Sequence, residues 1–204
     1  MTIHTRPAAK SDLAELGYVL GRAFYDDPVS MWIMPDDEDR AARQRKFFAG
    51  TARHHHLAGG GVEVATDGST IGAAALWDPP GRWKQSVREQ MLMMASFFLG
   101  FGPRLDLSRR LGQLFVTMKA QHPEEPHWYL AVIGSDPSVR GKGHGRALMQ
   151  SRLDRVDAEH APAYLESSKA DNIPYYERFG FEVTSELTVP NGGPTLWPMW
   201  RKPR

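Results

Sequence analysis

Cysteine is absent from the 204 residues, which excludes disulfides, thiolate metal sites and a cysteine nucleophile. Charge of one sign is also missing: 25 basic side chains face 24 acidic ones, a formal net of +1. A chain so balanced has no general electrostatic footprint for nucleic acid, and any positive patch must be local. No apolar run reaches the about 20 residues that span a bilayer; the longest, from Met91, is "MLMMASFFLGFG". The opening "MTIHTRPAAKSD" lacks the apolar centre of a secretory signal. Internal repeats and low-complexity linkers are missing too. The expectation is one cytoplasmic domain over 1–204, with neither membrane nor nucleic acid as a partner.

What is present is a regular alternation of strand-like and helix-like segments. "TIHTRPA" alternates and ends at Pro7, and Ser11 offers an N-cap to a helix whose Leu13, Leu16, Val19, Leu20 and Phe24 recur at helical spacing. "DDPVSMWIMPDDED" reads as a loop, and a second helix is expected from about Glu38 to about His56. "GVEVATDGSTIGAAALW" reads as a hairpin around Asp67-Gly68. Residues 82–121 look mostly helical with a break near Gly102-Pro103. The remainder reads strand "HWYLAVIGS", helix "GRALMQSRLDRVDAE", strand "PAYLESS", short helix "NIPYYERF", then strands "GFEVTSEL" and "TLWPMWRK". Such alternation specifies an α/β fold with a mixed sheet.

One turn stands out. "VRGKGHGRAL", Val139 to Leu148, sets three glycines among Arg140, Lys142, His144 and Arg146, between a strand and a helix N-terminus. The first N–H groups of a helix lack internal partners and its dipole favours an anion, so a phosphate or pyrophosphate is the expected guest. A nucleotide-triphosphate loop fails on spacing, because six residues separate Gly134 from Gly141-Lys142 and Gly143 follows the lysine. A dinucleotide fingerprint needs Gly or Ala where Arg146 stands, although Glu166 lies about where a ribose-binding acid belongs. Only 38 residues follow Glu166, too few for the remaining units of a doubly wound sheet.

The spacing Arg140-x-x-Gly143-x-Gly145 resembles the acyl-coenzyme A signature of the GNAT superfamily of N-acetyltransferases. "AYLESS" is similar to that family's fifth strand, and "NIPYYERFGFE" resembles its Asn-x-x-x-Tyr-Glu-x-x-Gly-Phe ending. Within the superfamily, "GKGHG", the run from Leu165 to Phe181 and the Lys-Pro tail are most similar to puromycin N-acetyltransferase-like members. The resemblance covers essentially the whole chain. It implies a mostly antiparallel twisted sheet of about seven strands flanked by helices, with a helical insertion between strands three and four. It also implies an enzyme that passes an acetyl group from acetyl-CoA to an amine of a small molecule, an antibiotic or toxic metabolite among the acceptors. Family members are commonly dimers, which allows a homodimer. The runner-up is an acyl-CoA-binding module without turnover, and an oxidoreductase ranks last.

The same resemblance assigns residues. Arg140, Gly141, Lys142, Gly143, His144, Gly145 and Arg146 would cradle the pyrophosphate; Ile133, Gly134 and Ser135 would line the pantetheine arm, which Asn172 would touch. Gly134 is also unusual in its own right, since glycine inside a strand signals a bulge or a close approach. Tyr176 matches the family's general acid, with Tyr175 as understudy. Glu166 is the first candidate for the base, a family role often filled through water, and His127 the second. "FYDDPVSMW" offers Tyr25, Asp26 and Trp32 to an amine, with Asp27 a substrate group or a helix cap, and Met91, Met93, Met94, Phe97 and Phe98 give the insertion an apolar surface.

"RHHHL" at Arg53 tempts a metal reading. Consecutive residues on an α-helix fan by about 100° each, and no acid lies at helical spacing beside them, so no metal is expected.

Overall fold

The computed structural model describes residues 2–35, 38–68, 70–101 and 105–204, the side chains of Met94 and residues 96–101 excepted. The strands are β1 (His4–Pro7), β2 (Val62–Thr66), β3 (Ile71–Asp78), β4 (Trp128–Ser135), β5 (Ala163–Ser167), β6 (Glu182–Val183), β7 (Leu187–Thr188) and β8 (Thr195–Arg201). They form an open sheet in the order β1-β2-β3-β4-β5-β8-β6, with β7 pairing β8 off that path. Neighbours run antiparallel except β4 and β5. The expected mixed, mostly antiparallel sheet is therefore found, with eight strands because the last segments break into two-residue pieces.

Helices α1 (Leu13–Ala23) and α3 (Arg40–Thr51) cover one face, where Leu16, Leu20 and Phe48 bury against Val64 and Leu76. Helices α6 (His144–Ala158) and α7 (Ile173–Glu177) cover the other, where Leu148, Leu153 and Val156 meet Trp77, Trp128 and Leu165. The insertion between β3 and β4 is α4 (Val87–Phe101) and α5 (Leu105–Gln121); the expected break at Gly102-Pro103 lies outside the described residues. Among the described residues no helix is long and apolar enough to cross a membrane.

Two local expectations change. The first helix is entered through a 3-10 turn at Lys10–Asp12, so Ser11 caps nothing; Asp12 instead accepts from Ala9 N–H and from both Arg6 guanidinium nitrogens at 2.6 and 3.0 Å. The segment read as a loop contains α2 (Pro28–Ile33). Its carboxylate cap, Asp27, accepts from the N–H groups of Val29 and Ser30, and Pro28 sets the first turn, the usual chemistry of a helix start.

The C-terminal strand is locked to α6 by one ion pair. Arg201, 2% exposed, donates to both Asp157 oxygens at 2.6 and 2.8 Å and through Nε to Phe179 O. Arg201 is buried and Asp157 is 35% exposed, so Asp157→Ala leaves a buried guanidinium short of its carboxylate and is expected to cost about 2 kcal/mol in urea unfolding, less than a fully buried pair. The hydrogen bond from Arg201 also holds the Asp157 carboxyl below its ordinary value. A depressed carboxylate contributes stability that is complete above its unfolded pKa and lost as pH falls through the lower folded one. The wild type should therefore lose its advantage over Asp157→Ala as pH drops below ~4, which paired unfolding curves at neutral and acid pH will read.

Candidate active site

β4 and β5 pair over three residues only, Trp128 with Ala163, Tyr129 with Tyr164 and Leu130 with Leu165. Past that point they part. β4 continues against β3 as far as Ser135, and residues 131–135 have no strand on their other edge among the described residues. The β3–β4 register slips between Leu76 and Trp77, which leaves Ala131 as an extra residue on β4. A bulge bends a strand and increases its local twist, so the parting of β4 from β5 begins where the ladder is disrupted. Ile133, Gly134 and Ser135 are half-exposed along this open edge.

Gly134 corrects part of its expectation. The bulge is at Ala131, and what approaches Gly134 is α1: an added Cβ would lie 2.8 Å from Ala23 Cβ and 3.0 Å from Phe24 Cε2. Glycine here lets the helix seat on the strand.

The turn after β4 has the conformation an anion cradle needs. Gly141 and Gly143 hold φ at +79° and +99°, a region that L side chains rarely adopt. Gly141 has open space where a side chain would be. Gly143 is the N-cap of α6, so the N–H groups of His144, Gly145 and Arg146 open the helix without intrahelical acceptors. Lys142 and Arg146 are exposed beside them. The His144 ring turns inward: its side chain is 1% exposed, packed where a Cβ on Gly72 would collide, with Nε2 3.7 Å from Asp67. Only its backbone faces the turn. Arg140 reaches back to Ala23 O at 2.9 Å and lies 3.7 Å from Asp26.

Helix α7 brings two tyrosines to the gap. Tyr176 is buried in the core cluster beneath α6, and burial, with Tyr175 and Asp27 adding, holds its hydroxyl proton well above the usual phenol range. The Tyr175 hydroxyl is buried without a partner, with its pKa pushed up to about 12 by burial, and it lies 3.3 Å from where a Gly145 side chain would begin. Asn172 is exposed just before α7.

On the opposite face the first residue past the β4–β5 pairing is Glu166. Its side chain is 2% exposed and Oε1 has no hydrogen-bond partner. Strand alternation puts Tyr164 on its side, and cross-strand registers bring Tyr129 and Trp200 to Tyr164. Burial and the neighbouring Glu166 charge push both tyrosine hydroxyls up. His122, at the end of the insertion, sets Nδ1 3.8 Å from Glu166 Oε1 and stacks on Trp83 with centroids 3.8 Å apart. Behind it His127 Nε2 lies 3.1 Å from His122 Nε2, and His127 Nδ1 lies 2.6 Å from Glu125 O. Burial lowers the His127 pKa. A neutral His127 donates Nδ1–H to that carbonyl, so its Nε2 accepts from His122. The result is a buried aromatic cluster with a carboxylate among its rings and two imidazoles beside it.

The loop residues expected to meet an amine are placed differently. Asp26 pairs with Lys169 at 3.2 Å and with Arg140, so its charge is already matched. Asp27 is the buried cap and also accepts from Ser168 Oγ. Tyr25 lies under the Arg40 guanidinium, and Trp32 packs between α2 and α5 under Arg110. Sequence reasoning missed Trp83, His122, Tyr129, Tyr164 and Trp200. Tyr164 was readable, two positions before Glu166 on an alternating strand; Trp83 and His122 arrive from the insertion and carry no local signal.

An uncharacterised N-acetyltransferase of Schizosaccharomyces pombe is 27% identical over 202 residues, covering 94% of this chain and 80% of that protein. The histone acetyltransferase HPA2 and related acetyltransferase of Corynebacterium glutamicum superposes with a TM-score of 0.75 at 25% identity, over 100% of this chain and 98% of the other. The Drosophila melanogaster polyamine N-acetyltransferase shares the fold with a TM-score of 0.60 at 14% identity, over 98% and 100% of the two chains. Residues 21–181, from within α1 through α7, match the acetyltransferase (GNAT) family. The glycine turn and the opened strands lie inside that match, and the chain belongs to this family of acetyl-CoA-dependent acyltransferases.

Proposed function

We propose that the protein acetylates an amine carried by a small cationic molecule, which enters the aromatic cluster and is deprotonated at Glu166. The observation that carries this reading is the buried, unpartnered Glu166 Oε1 at the point where β4 and β5 part. A carboxylate ringed by Trp83, Tyr129 and Tyr164 suits an alkylammonium, which aromatic faces and a negative charge both attract. An exposed protein lysine would need an open groove, whereas the Glu166 and His122 side chains are 2% and 3% exposed.

Acetyl-CoA, when bound, supplies a thioester that a neutral amine attacks directly and that leaves as a thiolate. The residues present fit it. The cradle of Gly141, Gly143 and the α6 N-terminus offers N–H groups to the pyrophosphate, with Lys142 and Arg146 beside them. The free edge of Ile133–Ser135 offers main-chain groups to the pantetheine amides. Glu166 takes the amine proton, and His122 beside it is placed to take that proton in turn as an imidazolium. Tyr176 gives a proton to the leaving sulfur. Tyr175, with its hydroxyl toward Gly145, packs beneath the bound arm. His144 contributes its N–H and not its ring, and Asp26 sets Arg140 and Lys169 rather than touching the amine.

The acceptor is tested with purified protein, acetyl-CoA and an amine panel read by thiol release. The panel includes agmatine and polyamines, because the Drosophila fold neighbour forms N-acetylagmatine. It also includes an aminonucleoside antibiotic, because of the resemblance to puromycin N-acetyltransferase-like chains. Turnover of at least one small amine, with none of a lysine peptide, is expected; the reverse overturns the assignment of the cluster. The donor cradle has its own test. Gly143→Val cannot hold φ near +99° without strain, and acetyl-CoA affinity measured by calorimetry should fall at least tenfold while far-ultraviolet circular dichroism is unchanged.

A further inference from the structure

Helix α3 runs on into a single π turn, Ala52–His56. Such turns are rare and concentrate at functional sites. Here the turn alters the outcome expected for the histidine run. His54 is partly exposed, whereas His55 and His56 both point inward, their side chains 4% and 3% exposed, and both reach Asp78 at the end of β3. The acid missing from the helix comes from a strand, so two of the three histidines do converge.

The geometry is that of ligands around a common point. His55 Nε2 lies 3.1 Å and His56 Nδ1 2.8 Å from the same Asp78 oxygen, and the three atoms fall within 4.8 Å of one another. Ligand atoms at ~2.0–2.1 Å from a tetrahedral zinc ion stand roughly 3.3 Å apart, close to the two separations from Asp78; the imidazole nitrogens must draw together on an ion, and His56 Nδ1 must give up its contact with Trp77 O at 3.3 Å. His55 Nε2 is buried and makes no hydrogen bond despite its closeness to Asp78; its direction misses the oxygen. Its other nitrogen, Nδ1, lies 3.2 Å from Glu89 Oε1 at the start of α4. Glu89 is itself held through Oε2 by the N–H and hydroxyl of Ser86 at 2.7 and 2.6 Å. A carboxylate on Nδ1–H fixes the tautomer that leaves Nε2 with a free lone pair, the support that metal-binding histidines ordinarily have.

We propose that His55 Nε2, His56 Nδ1 and Asp78 Oδ1 form a binding site for a divalent transition-metal ion, with Glu89 orienting His55. Two imidazoles and one carboxylate match zinc best among common ions. The ion ties the π turn to the end of β3, and Glu89 extends the tie to α4, so it fixes the base of the insertion. Trp83 lies on the short stretch between Asp78 and Glu89, which makes the ion a structural brace for one side of the aromatic cluster. This inference does not depend on the identity of the acceptor.

The test uses the full chain with any affinity tag removed, stripped with chelator and titrated with Co²⁺, whose visible absorption reports nitrogen and oxygen ligation. One equivalent of Co²⁺, displaced by Zn²⁺, and a higher Tm with Zn²⁺ are expected. His56→Gln and Asp78→Asn should each weaken Co²⁺ binding at least tenfold, Glu89→Gln by ~10–100-fold, and His54→Ala not at all. Absence of stoichiometric Co²⁺ and Zn²⁺ binding to the wild type overturns the site, even if the variants fail to fold. Binding that persists unchanged in folded His56→Gln and Asp78→Asn overturns it as well.

Discussion

Glu166→Gln is expected to lower kcat/KM for an accepted amine at least a hundredfold while leaving the affinity for acetyl-CoA within twofold. A positioned base contributes ~10²–10⁴-fold to such a step. Glutamine keeps the volume and the hydrogen-bonding reach of Glu166 but cannot take a proton. In the proposed reading the acetyl-CoA arm lies along the free edge of β4 and the glycine turn, whereas Glu166 lies beside Tyr164 and His122, which separates the two readouts. His122→Gln keeps Glu166 but removes the imidazole that takes its proton, and a loss of about tenfold is expected, chiefly in kcat. An undiminished rate in Glu166→Gln would show that water alone removes the proton and that the carboxylate only attracts the ammonium.

The cluster explains why some of this was legible in the chain and some was not. The cradle was readable because its requirements are local: glycines, a helix start and basic side chains lie within a few residues of one another. Tyr176 and Asn172 were named from the family motif; the structure buries the first in α7 and exposes the second just before it. The strand alternation was equally local, and so the sheet and its helical insertion emerged close to their true limits. Helix α2 escaped because a six-residue helix leaves little periodicity, although Asp27-Pro28 marks its start. Asp26 was misjudged because its neutralising partners, Lys169 and Arg140, lie more than 100 residues away in the chain. His144 was named for the cradle, and the absence of a side chain on Gly72 gives its ring an inward place. At the histidine run ideal α-helical geometry was assumed where the backbone makes a π turn, and that turn sets both His55 and His56 toward Asp78. Residues that act through tertiary contacts, His122 above all, leave no mark on the local pattern.

Tyr176→Phe is the second large effect, with turnover falling at least tenfold and acetyl-CoA affinity intact. A phenol with an ordinary pKa near ~10 sits above a thiol near ~8.5, so giving its proton to a free thiolate is uphill by about 2 kcal/mol, a cost small enough to be met when the transfer accompanies breaking of the C–S bond. Burial raises the Tyr176 hydroxyl further, which keeps the proton in place across the physiological range and adds to that cost. A hydroxyl raised too far would also hold its proton too tightly if it had to ionise in the ground state. As an acid it transfers the proton only while negative charge develops on the sulfur, so its unperturbed neutral form is the useful one. Phe fills the same volume in the cluster with Phe181 and Leu165, and Tm should shift by no more than a few degrees. Tyr175→Phe supplies the contrast. That hydroxyl faces Gly145 and Ser135 rather than Asp27, so its loss should weaken acetyl-CoA binding a few-fold and leave kcat near its wild-type value. If the two variants exchange these behaviours, the acid is Tyr175; if neither lowers kcat, the thiolate leaves unprotonated and α7 serves only to bind.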